Sequence, residues 1–253
     1  MLVIEKNYLF PIYAHCIGFF LAICLMFFLK PNFLFNNFPN FEDFKKTNFI
    51  DYGAWRTAFF FSATQVLINL TTQLDIFIMS YLGTSVELAH YYAAVRGALI
   101  INFFYAASSI LIEPKITRAF ARNDLVAFKL NFNSAKFIGI ILTLIGFILL
   151  IIFGKTYLSF FGENYISAYN ILIIFGIGIL FRSFFGPMSQ GYRAAGLEAE
   201  LLKYSIYVLI INFIISISMF PYFGAEGVAL GTAVQFTMLG FLLWNNLKNK
   251  YVF

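Results

Sequence analysis

Charge is scarce in this 253-residue chain: Asp, Glu, Lys and Arg together make up 11% of it. A water-soluble domain of ordinary composition carries about a quarter charged residues, so that class is excluded. Cysteine and histidine are nearly absent, with Cys16, Cys24, His15 and His90 as the full set. Both cysteines lie in the first apolar run, where they read as packing residues rather than as a disulfide or half of a metal site. His15 is alone on an apolar helix, and His90 stands beside Tyr91 and Tyr92, the setting of an interfacial aromatic belt. There is no Gly-x-x-x-x-Gly-Lys-Ser/Thr, which excludes nucleotide hydrolysis by the chain itself. The connections at 154–167 and 222–225 are too short to hold a catalytic domain. An enzyme is therefore not expected, nor a bound metal or cofactor beyond a coupling proton or sodium ion.

What the chain has is apolar surface: 61% of its residues are hydrophobic and 21% aromatic. Runs of about twenty uncharged residues recur, each long enough to cross a hydrocarbon core. Length and apolarity predict an all-α integral membrane protein, a polytopic bundle of about seven transmembrane helices at 7–29, 54–81, 88–112, 137–153, 168–188, 204–220 and 226–246. The first run lacks a small-x-small exit and reads as a span rather than a cleaved leader. Alternate loops differ sharply in charge. One set holds Lys30, Lys45, Lys46, Arg56, Lys115, Arg118, Arg122, Lys129, Lys136, Arg193, Lys203, Lys248 and Lys250, while the other holds only Lys6 and Lys155. Basic residues stay on the cytoplasmic side, so the amino terminus is expected outside and the carboxyl terminus in the cytoplasm.

Three ionisable residues fall inside apolar helices: Asp75, Arg96 and Arg182. Such residues are costly at membrane depth and face partners or a polar path. Asp75 and Arg96 flank the turn Leu82-Gly83-Thr84 at depths about one helical turn apart, so they can meet. They read either as an ion pair locking two helices or as part of a translocation path. Arg182 reads either as a path residue or as a side chain reaching back to the inner interface. After Pro114, taken as a first-turn residue, Lys115, Arg118, Arg122, Lys129 and Lys136 fall on one helical stripe. That stripe predicts an interfacial helix on anionic headgroups rather than a substrate-capture site, with membrane lipids and not nucleic acid as its partners.

Small residues mark contacts and breaks. Gly227-Val-Ala-Leu-Gly231 is a small-xxx-small pattern that lets helices approach. Gly176, Gly178 and Gly186-Pro187 are expected to interrupt the fifth helix, and Pro221 and Gly224 to build the turn before the last. Residues 30–53, with Pro31, Pro39 and several Asn, read as a cytoplasmic linker. It divides a single span (1–29) from a six-helix lobe (54–253).

The run Asp75-Ile-Phe-Ile-Met-Ser-Tyr-Leu-Gly-Thr84, followed by Ala89, Tyr91, Ala93-Ala94 and Arg96, resembles the seventh and eighth helices of polysaccharide flippases. Those proteins belong to the multidrug/oligosaccharidyl-lipid/polysaccharide exporter superfamily. Glu113-Pro114 through Lys136 is similar to the basic loop that follows in that family. Phe181-Arg182-Ser183 through Leu197 resembles the inner end of its tenth helix, and Phe223-Gly224-Ala225-Glu226-Gly227-Val228-Ala229-Leu230-Gly231-Thr232 the start of its twelfth. The resemblance implies a flippase of O-antigen or capsule repeat units in the bacterial inner membrane, which moves an undecaprenyl-pyrophosphate-linked oligosaccharide by alternating access. It implies that Arg96 and Arg182 meet the pyrophosphate, while Asp75 orients Arg96 or binds a proton or sodium ion. It also implies that the chain corresponds to the last helix of a first lobe plus a whole second lobe, to be completed by a missing first lobe or a second copy. A drug-exporting relative, a membrane-bound polysaccharide polymerase or glycosyltransferase, and a truncated remnant are the alternatives.

Overall fold

The computed structural model describes residues 52–251. The expected first span (1–29) and nearly all of the expected linker (30–53) lie outside the described residues, as do Cys16, Cys24 and His15. Within them the chain forms six helices: α1 (Tyr52–Leu82), α2 (Ser85–Ala121), α3 (Leu125–Ser159), α4 (Tyr169–Ser183), α5 (Met188–Ala194) and α6 (Glu198–Tyr251). A short 3-10 turn, Glu163–Ala168, leads into α4. No strand occurs among the described residues, and the architecture is an all-α membrane bundle.

Local chemistry sets the ends of these helices. Thr84 caps α2 through a capping box: its hydroxyl accepts from Glu87 N at 3.3 Å, and the Glu87 carboxylate accepts from Thr84 N at 2.8 Å. Asn123 takes a left-handed conformation (φ 55°) after α2. There Asn123 N bonds Phe120 O at 2.9 Å and Asp124 N bonds Ala119 O at 3.0 Å, the two bonds of a Schellman stop. Asp124 then caps α3 by accepting from Ala127 N at 2.9 Å.

That stop corrects one expectation. Pro114 does not open a new interfacial helix; it lies inside α2, which runs on to Ala121. A proline removes only one backbone donor, and helices in a membrane tolerate it where neighbours support the freed carbonyl. The basic stripe is consequently split between two helices. Lys115 and Arg118 lie on α2, Arg122 caps its end, and Lys129 and Lys136 lie on α3 beyond the turn.

Among the described residues, four segments are long and apolar enough to cross a membrane: α2, α3, Glu163–Ser183 and the α6 segment Glu198–Lys248. The 31-residue α1, expected as a span, is not among them because Gln65, Thr71, Gln73 and Asp75 dilute its apolarity. The 54-residue α6 would be about 80 Å long if straight, more than twice a hydrocarbon core. It is instead a hairpin. Gly224 adopts φ 54°, ψ −133°, and two arms, 198–223 and 225–251, pack back along each other. Their approach needs glycine at 227, where a Cβ would sit 2.7 Å from the Met219 backbone. The number of crossings is thus read from arms rather than from helices.

The bundle has a hydrophobic cluster toward each end. One gathers Tyr91, Ile101, Leu150, Leu158, Leu172 and Phe175, and the other Ile116, Phe128, Phe132, Met188, Tyr192, Leu243 and Leu247. Gly186 (φ 78°) and Pro187 separate α4 from α5, but Gly176 and Gly178 do not interrupt α4. They are contact points, and a Cβ on Gly178 would lie 2.6 Å from Ala233 Cα of α6. Gly178→Val should therefore push α4 off the second arm of α6 and cost about 1–3 kcal/mol, the usual penalty of overpacking. Thermal unfolding of the purified protein measures it, and an unchanged midpoint would refute the close approach.

Candidate functional site

Asp75 is buried, with 3% of its surface exposed, on the side of α1 that faces the α6 hairpin. Each carboxylate oxygen is held by a neutral donor from a different arm. Asn212 Nδ2 of the first arm donates to Oδ1 at 3.3 Å, and the Thr232 hydroxyl of the second donates to Oδ2. Asn212 Nδ2 also donates to Gln235 Oε1 at 2.7 Å, and Gln235 Nε2 reaches Thr71 Oγ1 of α1 at 3.4 Å. Ser216 completes the set, donating to Asn212 Oδ1 at 2.8 Å and lying 3.5 Å from Val228 O. All six side chains are buried. The Tyr91 hydroxyl, fully buried, lies beside the carboxylate without completing a hydrogen bond to it.

This network forms because the backbone of the second arm comes unusually close. A Cβ at Gly231 would stand 2.6 Å from Asn212 Oδ1, so only glycine fits there. Thr232 and Gln235 follow at i and i+3 and share a face. Asn212 and Ser216, at i and i+4, share the opposing face of the first arm.

Asp75 and Arg96 do not meet. Arg96 is exposed and turned to the Tyr92 side chain one helical turn away, hydrogen-bonding its hydroxyl and lying 4.6 Å from the ring centroid. The reason is helical phase. Ala94, Gly97 and Ala98 form the buried side of α2, and residues 92, 96, 99 and 103 form its exposed side. The only ion pairs among the described residues are Glu113 with Arg193 and Glu200 with Lys250.

Arg182 shares a cavity with Asp75. Both line a cavity of about 130 Å3, together with Asn102, Ser189, Ser205 and Gln235. The guanidinium of Arg182 lies 5.0 Å from the Tyr105 ring centroid and 5.5 Å from that of Phe236. Aromatic faces hold a cation that has no carboxylate partner. Tyr105 is itself fixed, because its hydroxyl donates to Gly186 O at 3.0 Å. The basic stripe lies at the end of the bundle occupied by Arg193, Lys248 and Lys250. His90, by contrast, packs edge-on to Tyr165 at 4.7 Å, with Ser167 Oγ 3.2 Å from its Nδ1.

Sequence reading found Asp75 because a charge in an apolar helix is conspicuous. It missed Asn212, Thr232, Gln235 and Tyr91. The available signal was the spacing of neutral polar residues, Asn212 with Ser216 and Thr232 with Gln235, each pair on one helix face.

The model of the lipid II flippase MurJ family matches residues 2–253. The chain belongs to the MurJ lipid II flippase family. Among curated proteins and among solved structures, no match to the chain is found. MurJ membership makes the chain a multi-pass membrane protein of a transporter family. The superfamily expected from the sequence stands. The family within it is named for lipid II, so the expectation of an O-antigen repeat-unit flippase holds only at the coarser level of a flippase of lipid-linked saccharides.

Thr232→Val removes one of the two donors to a buried carboxylate and should cost about 1–3 kcal/mol. The same change made in an Asp75→Asn background should cost clearly less, because the charged acceptor is gone. A double-mutant cycle of thermal unfolding reads the difference. Equal costs in both backgrounds would remove the hydrogen bond as the cause.

Proposed function

We propose that the chain takes part in moving a polyprenyl-pyrophosphate-linked saccharide of the lipid II class between the leaflets of the inner membrane, driven by a cation that binds and leaves at Asp75. The observation that carries this reading is the buried carboxylate whose partners are all neutral and come from both arms of one hairpin. An ionised carboxylate in low dielectric is poorly compensated by two neutral donors and gains strongly from a proton or a small cation. The Thr232 hydroxyl touches it, and the oxygens of Asn212, Ser216 and Val228 follow along the same hydrogen-bonded chain, the ligand type that hard cations take. A cation gathering these oxygens would draw α1 and both arms together; its loss would free them. Ligand-dependent closure of this kind is what alternating access requires.

The substrate's charge is met by arginine. A guanidinium fork binds phosphate oxygens in pairs, and Arg96, exposed beside Tyr92, and Arg182, in the shared cavity, are the candidates. Because Asp75 and Arg96 are apart, Asp75 acts through the helices and not by orienting Arg96. Orientation follows the charge asymmetry: the end bearing Lys129, Lys136, Arg193, Lys248 and Lys250 is cytoplasmic. A further lobe, on this chain or another, or a second copy would close the cavity. The residues from Asp75 to Arg96, which resemble the repeat-unit flippases, favour an O-antigen or capsule unit as the second reading, since it carries the same lipid pyrophosphate.

Two variants separate the parts of this proposal. In proteoliposomes carrying a labelled lipid-linked saccharide, Asp75→Asn and Arg96→Ala should each lower translocation at least about tenfold, the effect of losing one charge-assisted contact. Sodium or acid should raise the unfolding temperature of the Arg96→Ala protein but not of the Asp75→Asn protein. A cation-induced shift that survives Asp75→Asn would exclude Asp75 as the binding group. Translocation unchanged in Arg96→Ala would exclude that arginine.

A further inference from the structure

We propose that a pocket between α3 and the second arm of α6 binds the phosphate of an anionic membrane-lipid headgroup. Lys129, Asn133 and Lys136 stand at i, i+4 and i+7 on α3 and face Trp244 and Lys248 of α6 across a cavity of about 200 Å3. Its floor is apolar, made by the buried Phe132, Met188 and Leu247. No carboxylate lines it, and none of the three lysines forms an ion pair among the described residues. This sets them apart from their neighbours at the same end. Arg193 is committed to Glu113 and Lys250 to Glu200. Three like charges sharing one concavity repel each other, and an anion between them reverses the sign of that interaction.

The walls favour a lipid over a free anion. Lys248 Nζ lies 5.1 Å from the Trp244 ring centroid, and a tryptophan flanked by lysine is the arrangement found where headgroups meet hydrocarbon. Immediately along the same two helices, Phe137 and Phe241 present exposed apolar surface, with 65% and 49% of each residue exposed, on which acyl chains can lie. A phosphodiester seated on the lysines would therefore have exposed apolar side chains beside it for its tails. The pocket shares no lining residue with the cavity of Asp75 and Arg182, so it is separate from the proposed transport path. It also differs from a diffuse basic stripe: Lys129 and Lys136 are recruited together with Lys248, more than a hundred residues away, while Lys115, Arg118 and Arg122 take no part.

Trp244 is a built-in reporter. The chain has two tryptophans, and Trp55→Phe leaves Trp244 alone to be quenched by lipids with brominated acyl chains. That protein, reconstituted in mixtures of phosphatidylcholine and phosphatidylglycerol, should prefer brominated phosphatidylglycerol about fivefold, the scale of one lysine–headgroup attraction. K129Q/K136Q/K248Q in the same background should bring the ratio close to one. K155Q, which alters a cation outside this pocket, should leave it unchanged. If the triple variant does not reconstitute, K248Q alone should still lower the ratio. Equal quenching by the two lipids in the Trp55→Phe protein would overturn the proposal, as would a preference that survives the lysine changes. Abolition by excess inorganic phosphate, but not by sodium chloride of equal ionic strength, would identify a free-phosphate site instead and would equally overturn it.

Discussion

The hydrogen-bonded hold of two α6 arms on one buried carboxylate is the constraint around which this bundle is organised. Asp75 can be buried only because Asn212 and Thr232 reach it from opposite sides. They reach it only because the arms approach to within backbone distance at Gly227 and Gly231. That approach in turn requires the reversal at Gly224. Polar satisfaction, close packing and topology are thus one condition seen at three scales, and a membrane makes it strict, since water is absent to satisfy what the helices leave open.

The proposed cation site at Asp75 gives this constraint a use. A network that is complete with respect to hydrogen bonds but incomplete with respect to charge is stable enough to persist and strained enough to respond. Arg182 shows a complementary solution in the same cavity, where aromatic rings from α2 and α6 stand in for a carboxylate. Among the described residues, one cavity therefore holds a carboxylate without a cation and a cation without a carboxylate.

Composition made the membrane fold legible, and the lone Asp in an apolar helix made half of the site legible. Which face that Asp turned to was not legible. Pairing it with Arg96 was reasonable by depth, but depth fixes only position along the axis, and the phase of α2 is set by Ala94, Gly97 and Ala98 packing inward. The partners in α6 carry no charge, so they raised no signal against an apolar background. Helix ends were misread for a similar reason. Pro114 looked like a beginning because its rule is local, whereas the actual stop at Asn123 is made by a left-handed residue and a following cap. The apparent single helix of 54 residues was the opposite case, where a sequence signal, Pro221 with Gly224, marked a reversal that backbone hydrogen bonding alone conceals.

The hairpin also decides how movement can be transmitted. Its arms are tied together near the open end by Glu200, which takes Asn246 at 2.8 Å as well as Lys250, and again mid-length by Asn212 and Gln235. At the closed end Gly224 joins them covalently. Fastened at three levels, the pair cannot slide past each other like two independent rods; it behaves as a stiff strut. On the proposed function, a cation bound or lost at Asp75 acts on that strut as a single piece, through both of its arms at once.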